Sequence, residues 1–236
     1  MFLNVKADEI YYTNPNSVSM TEHQYNFLGE MYFDGFQEYI TQAEFNRYLT
    51  YGYFDSDIEK VILDDTDTSS ILKPINDRGL IHETNAKRLT LAKSCGSSTC
   101  LISVTLHWKG QPTVKSYDVI GALLYGSMNL IGEPTTYLNY SGGNLFYGDE
   151  KYSGDGFGTS VKLQNSSTLM NIYQSYDVSG TGTLYASYQH ATSNITKTTS
   201  QKYTISYGGY GGVFHFYGSA VGVFDHMGGV NTTINI

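Results

Sequence analysis

Charge is scarce in this chain: Asp, Glu, Lys and Arg make up 15% of its 236 residues, against roughly 25% in an average soluble domain. The 14 basic residues are outnumbered by 22 acidic ones, a formal net charge of −8. They are also scattered, with Lys87, Arg88 and Lys93 as the densest group. Nucleic acid and anionic membrane both require clustered cations, so neither is expected as a main partner. No apolar run approaches the roughly 20 residues that cross a bilayer as a helix.

Several chemical signatures are missing as well. The two cysteines lie in Cys95-Gly96-Ser97-Ser98-Thr99-Cys100, too far apart for a two-residue redox or zinc spacing, and no second pair completes a metal site. The histidines, His23, His82, His107, His190, His215 and His226, form no H-E-x-x-H and no tight pair, so no metal is assigned. His107 and His215 share a parity that could bring them to one face, though nothing requires it; a hydrogen-bonded imidazole beside a sheet is the plainer reading. Asp65-Thr66-Asp67 begins like a calcium loop, but Ser70 and Asn76 stand where Gly and Glu belong. No G-x-S-x-G elbow occurs. Gly208-Gly209-Tyr210-Gly211-Gly212 lacks the Lys-Ser/Thr ending of a phosphate-binding loop and reads as a bend between strands. No catalytic residue and no cofactor is assigned.

What is abundant is hydroxyl and aromatic surface. There are 22 Tyr, and 14% of residues are aromatic, which supplies the apolar area a disordered chain lacks. At this length, folding removes roughly 70% of the extended chain's surface from water, so a core needs no metal to hold it. A neutral surface rich in Ser, Thr, Asn and Tyr suits β-structure outside the cell.

Two regions differ in periodicity. Residues 8–60 read as helical. Ser19-Met20-Thr21-Glu22 and Thr41-Gln42-Ala43-Glu44 both carry the capping-box pattern of a hydroxyl followed three residues on by a carboxylate. Tyr25, Leu28, Met31 and Tyr32 follow the first at helical spacing; Phe45, Tyr48 and Leu49 follow the second. Gly35 and Gly52 are expected stops. The two helices look like copies, since Thr21-Glu22-His23-Gln24-Tyr25-Asn26 aligns with Thr41-Gln42-Ala43-Glu44-Phe45-Asn46. Residues 61–85 read as an acidic, turn-rich connection. From 86 to 236 the period is two, as in Ile102, Val104, Leu106 and Trp108. Strands are expected at 86–94, 101–108, 115–124, 157–163, 169–176, 183–190, 201–207, 213–217 and 221–224, separated by Gly and Asn clusters. The fold class is therefore mainly β: an antiparallel β-sandwich or barrel preceded by a short two-helix N-terminal segment. A Cys95–Cys100 disulfide closing the first hairpin fits the spacing, with a contribution of about 2 kcal/mol for so short a loop; two free thiols are the alternative.

Val5-Lys6-Ala7 before Asp8-Glu9 reads like the end of a secretory signal, with residues 1–7 as its remnant. Asn139, Asn165, Asn194 and Asn231 each open an N-x-S/T sequence, which a Ser/Thr/Asn-rich chain produces by chance. Tyr rings offer contact area and a hydrogen-bonding tip at small entropic cost, so Trp108, Tyr137, Tyr140, Tyr147, Tyr152, Tyr173, Tyr176, Tyr185 and Tyr188 are candidates for a ligand-binding surface. Against this, Tyr is also a strand former that simply packs. Tyr117-Asp118, Tyr176-Asp177 and Phe224-Asp225 each place a carboxylate after an aromatic and would suit glycoside hydrolysis if two of them converged. The uncharged, Ser/Thr-rich stretch 165–206 raises the possibility of a membrane-inserting hairpin.

Together, Val5–Glu9, the Thr21 and Thr41 repeats, Trp108 with Lys115-Ser116-Tyr117-Asp118-Val119-Ile120-Gly121, and the Gly-rich end from Tyr203 to Gly229 make the chain resemble exported proteins of Gram-positive, gut-type bacteria that carry no assigned activity. The resemblance implies a secreted or cell-surface location and supplies no catalytic residues. The leading expectation is a non-enzymatic extracellular β protein that binds a glycan or cell-surface ligand, or serves in envelope assembly. A secreted hydrolase using paired carboxylates and a pore-forming toxin are the alternatives.

Overall fold

A computed structural model of the chain describes residues 10–32, 35–64, 87–166, 169–208, 212–225 and 227–236. The signal-like residues 1–7, the Asp65 loop and most of the acidic connection, His82, His226 and the centre of the Gly208–Gly212 bend lie outside the described residues.

The N-terminal segment opens with a small hairpin, β1 (Tyr11–Thr13) against β2 (Ser19–Thr21). Helix α1 (Glu22–Met31) follows at once. Its capping box joins Thr21 to Gln24, not Ser19 to Glu22, because Ser19 is occupied as a strand residue. Helix α2 (Gln42–Tyr51) starts at the expected Thr41–Glu44 box and stops at Gly52, whose φ of 72° suits a residue without Cβ. Asn14 ties the hairpin down by donating to the carbonyls of Gln37 and Ile40, at 2.9 Å each.

The sheet begins earlier than the change in periodicity suggests. β3 (Ile58–Asp64) comes out of the stretch read as the end of the helices and the start of the connection. It pairs with β4 (Lys87–Cys95), which forms a hairpin with β5 (Cys100–Trp108). Cys95 and Cys100 are register partners and are disulfide-bonded. The next strands are β6 (Tyr117–Tyr140), β7 (Gly143–Tyr147), β8 (Glu150–Ser153), β9 (Gly156–Lys162) and β10 (Asn171–Gln189). A short helix α3 (Lys197–Ser200) and the hairpin β11 (Tyr203–Ile205) with β12 (Phe214–Phe216) precede the last strand, β13 (Val230–Asn235). All pairings are antiparallel. The order is β3-β4-β5-β10-β6-β9-β8, with β13 also on β10 and β7 also on β6.

This one sheet makes both layers of a sandwich. The first half of β10 pairs with β5, and its second half pairs with β13. β6 accompanies β10 along nearly its whole length, through a register shift between Ser175 and Asp177. Gly126, Gly132 and Gly180, with φ of 113°, 72° and 90°, sit in the middle of the two long strands. A Cβ on Gly180 would lie 2.1 Å from the Ser127 carbonyl oxygen. Glycine therefore lets the β6–β10 ribbon pass from one layer to the other. Between the layers lies the main core: Leu89, Ile102, Val104, Ile172, Tyr176 and Val178 from one side meet Ile120, Phe157, Leu184, Ala186 and Ile234 from the other.

Two further cores cover the outer faces. On the first layer, Phe27, Leu28, Met31, Phe45, Tyr48 and Phe54 pack against Ala92, Leu101, Tyr137 and Tyr173. On the second, Tyr203, Ile205, Val213 and Phe224 cover Val119 and Leu123. The chain is thus a four-layer stack: helices, sheet, sheet, C-terminal lobe. The expected strands 169–176 and 183–190 are one continuous strand, and the expected strand 221–224 is reduced to a single bridge between Phe224 and Ala191.

Candidate functional site

Strand alternation decides the fate of the nine aromatic candidates. Trp108, Tyr176 and Tyr188 point into the sandwich, with exposures of 2%, 0% and 0%. Tyr137 and Tyr173, at 3% and 0%, lie beneath the helices. These five are buried in the cores and not on the surface where they were expected. Tyr140 and Tyr147 are half-buried against the main core, and Tyr147 donates to the Lys162 carbonyl at 2.8 Å. Tyr185 is half-buried, while Tyr152 is exposed on edge strand β8.

Tyr185 belongs to an aromatic strip on the outer face of the second layer, at the edge of the C-terminal lobe, against whose core it packs. Its ring packs on Tyr207 with centroids 4.9 Å apart. Tyr125 stands opposite Thr183, two residues from Tyr185, which makes Tyr125 and Tyr185 diagonal neighbours on that face. Tyr125 and Tyr207 are 62% and 54% exposed. On the far side β13 contributes Asn231 opposite Tyr185 and Thr233 opposite Thr183. The result is a strip of phenol rings bordered by hydroxyl and amide groups, with Lys93 Nζ donating to the Thr233 carbonyl at 2.8 Å. Tyr125 and Tyr207 escaped the sequence reading because the neighbouring Leu123, of the same parity as Tyr125, is covered by the lobe, and only the fold shows where that cover ends.

The three carboxylates considered for hydrolysis are inside. Asp118, Asp177 and Asp225 are 0%, 1% and 4% exposed. Asp177 faces the helices, where Arg47 Nε approaches it at 3.3 Å and the Tyr53 hydroxyl at 3.1 Å. Burial pushes its carboxyl up, against the pull of Arg47 and Tyr53. Asp118 and Asp225 do converge, at one end of the sandwich. Asp118 accepts from the Ala191 amide at 2.9 Å and from the Tyr188 hydroxyl, and meets His190 Nδ1 at 2.9 Å. Asp225 accepts from the His190 amide at 2.8 Å and is paired with Lys87, itself 1% exposed. Lys87 Nζ lies 5.5 Å from the Trp108 ring and 5.8 Å from the Tyr188 ring. Burial is the largest single influence on His190 and lowers its pKa, but Asp118 and Asp225 together leave the imidazole above its ordinary value. Asp225 is pushed up by burial and held back by Lys87. With every charged member buried, this cluster offers no surface to a substrate.

The surface depressions are shallow. One of about 600 Å³ is lined by Tyr25, Asn26, Glu30, Gln37 and Lys60, with Lys60 and Glu30 paired at 3.5 Å. Another, of about 370 Å³, is lined by Asp55, Asp57, Glu59 and Lys93. No three His, Cys, Asp or Glu side chains form a metal-holding group among the described residues. His107 is bound to Asn171 on β10, and His215 on β12 faces the Ser206 carbonyl, so the two serve separate local contacts. Among the described residues no helix is long and apolar enough to cross a membrane.

No protein-family model matches the chain, and no curated protein matches its sequence. Solved structures with partial similarity include the KRT10-binding region domain of the pneumococcal serine rich repeat protein PsrP. It is 12% identical with a TM-score of 0.33, over 56% of this chain and 87% of that one. The collagen binding domain of the Erysipelothrix rhusiopathiae surface protein RspB is 8% identical with a TM-score of 0.33, over 57% of this chain and 49% of that one. Similarity at this level carries no argument for this chain; its own geometry does.

Proposed function

We infer that the protein is a non-enzymatic extracellular recognition module that holds a glycan on the Tyr125–Tyr185–Tyr207 strip. The observation that carries this reading is the strip itself: two rings more than half exposed, one of them packed on a third, at the open end of an otherwise covered sheet face. Exposed phenol rings lose little entropy on binding and present both an apolar face and a polar tip, which suits the mixed faces of a sugar ring. Asn231, Thr183 and Thr233 supply neutral donors and acceptors beside them. The disulfide supports an oxidising, extracellular compartment.

The alternatives lack comparable support. Hydrolysis needs carboxylates that reach solvent, and Asp118, Asp177 and Asp225 are enclosed. Pore formation needs a hairpin that can leave the body, whereas β10, within the suspected stretch, is the central strand, paired on one edge with β6 and on the other with β5 and β13. The experiment is binding to an array of glycans and bacterial cell-wall fragments. Saturable binding that Tyr125→Ala and Tyr207→Ala each weaken at least tenfold supports the reading; binding unaffected by both removes it.

A further inference from the structure

We propose that Lys87 and Asp225 form an intramolecular isopeptide bond, a covalent cross-link through the end of the sandwich core. Lys87 opens β4 in the first layer; Asp225 follows the lobe that covers the second, so the bond would tie together parts of the chain far apart in sequence.

The geometry supplies what amide formation needs. Nucleophile and electrophile are in direct contact, both nearly excluded from solvent. Positioning removes the entropic cost of bringing them together. The two carboxyl oxygens are already distinguished: Oδ1 accepts the His190 amide at 2.8 Å, while Oδ2 faces Lys87 Nζ. A backbone N–H on Oδ1 polarises the carbonyl and stabilises the oxyanion formed when Nζ adds to Cγ. The Trp108 and Tyr188 rings wall the ammonium, so water that would reverse the reaction is kept away.

The balance closes without another reactant. In a dry site the ion pair is costly, which favours transfer of one proton from Nζ to Oδ2, giving a neutral amine and a neutral acid. Nζ then adds to Cγ, the Cγ–Oδ2 bond breaks, and the second proton leaves nitrogen for Oδ2, which departs as water. The product replaces two buried charges with one neutral amide.

Intact mass of the folded full-length protein, denatured and reduced before measurement, tests this directly. The expected mass is one water below that of the reduced sequence, with a branched peptide joining Lys87 to Asp225 after digestion. Lys87→Arg keeps the charge but cannot form the bond, and should show its full mass. Asp225→Asn should lose ammonia in place of water and reach the same final mass as the wild type. A wild-type protein of full mass, or a water loss mapped to other residues, would overturn the proposal.

Discussion

The Tyr176 hydroxyl lies in the sandwich interior with no hydrogen-bond partner among the described residues. Its ring is well placed, edge-on to Phe157 at 4.8 Å, so the cost falls on the oxygen alone. Removing a buried, unsatisfied hydroxyl while keeping the ring should leave stability unchanged or raise it by up to roughly 1 kcal/mol. Tyr176→Phe is therefore expected to unfold at equal or higher urea concentration; a clear loss would mean that the hydroxyl has a role. His190 makes a second prediction at this scale. Its folded pKa stands above the ordinary 6.5 because Asp118 and Asp225 together outweigh burial, the largest single influence. The folded state then binds the proton more tightly, so the stabilisation is fully present below about pH 6.5 and is lost as pH rises through the folded value. Thermal unfolding across this range should show the decline, and Asp118→Asn should flatten it. Residue roles were the least legible part of the sequence. Tyr176, Tyr188 and Tyr125 are the same residue type in similar strand contexts, yet two are core and one is 62% exposed. Only the layers packed above and below each strand separate them.

Elements were legible where their signals are local. The Thr41–Glu44 box, the Gly52 stop and the Cys95–Cys100 hairpin all depend on residues a few positions apart, and all are present. Thr41→Ala should cost about 1 kcal/mol through loss of the cap, readable as a lower midpoint in chemical unfolding. The bend in β10 depends on distant residues. Gly180 looks like a strand break in sequence, which divides one long strand into two; in the fold it is the point where the strand changes layers. Gly180→Ala should destabilise by more than the roughly 1–2 kcal/mol of placing a Cβ at positive φ, because that Cβ also meets the Ser127 carbonyl. A variant as stable as the parent would contradict this account of the bend. β13 was missed because Val230-Asn231-Thr232-Thr233-Ile234-Asn235 carries only two aliphatic residues, and both turn out to be buried.

At the scale of the whole molecule, the mainly β class followed from composition and period-two patterning, while the stacking did not. The helices share a core with the first sheet layer, which makes them part of the folded body. The C-terminal lobe covers the other outer face but stops short of Tyr125. That unequal cover turns common strand residues into a candidate binding strip, and it buries the carboxylates that would have suggested an enzyme. The measurement that tests this most directly is titration of the wild-type protein and of the Tyr125→Ala, Tyr207→Ala double variant against the strongest glycan found on the array. Unfolding of both proteins is recorded alongside. The account predicts saturable binding by the wild type and at least a hundredfold loss in a double variant that remains folded. Equal binding by the two proteins, or no glycan bound by the wild type, would contradict it.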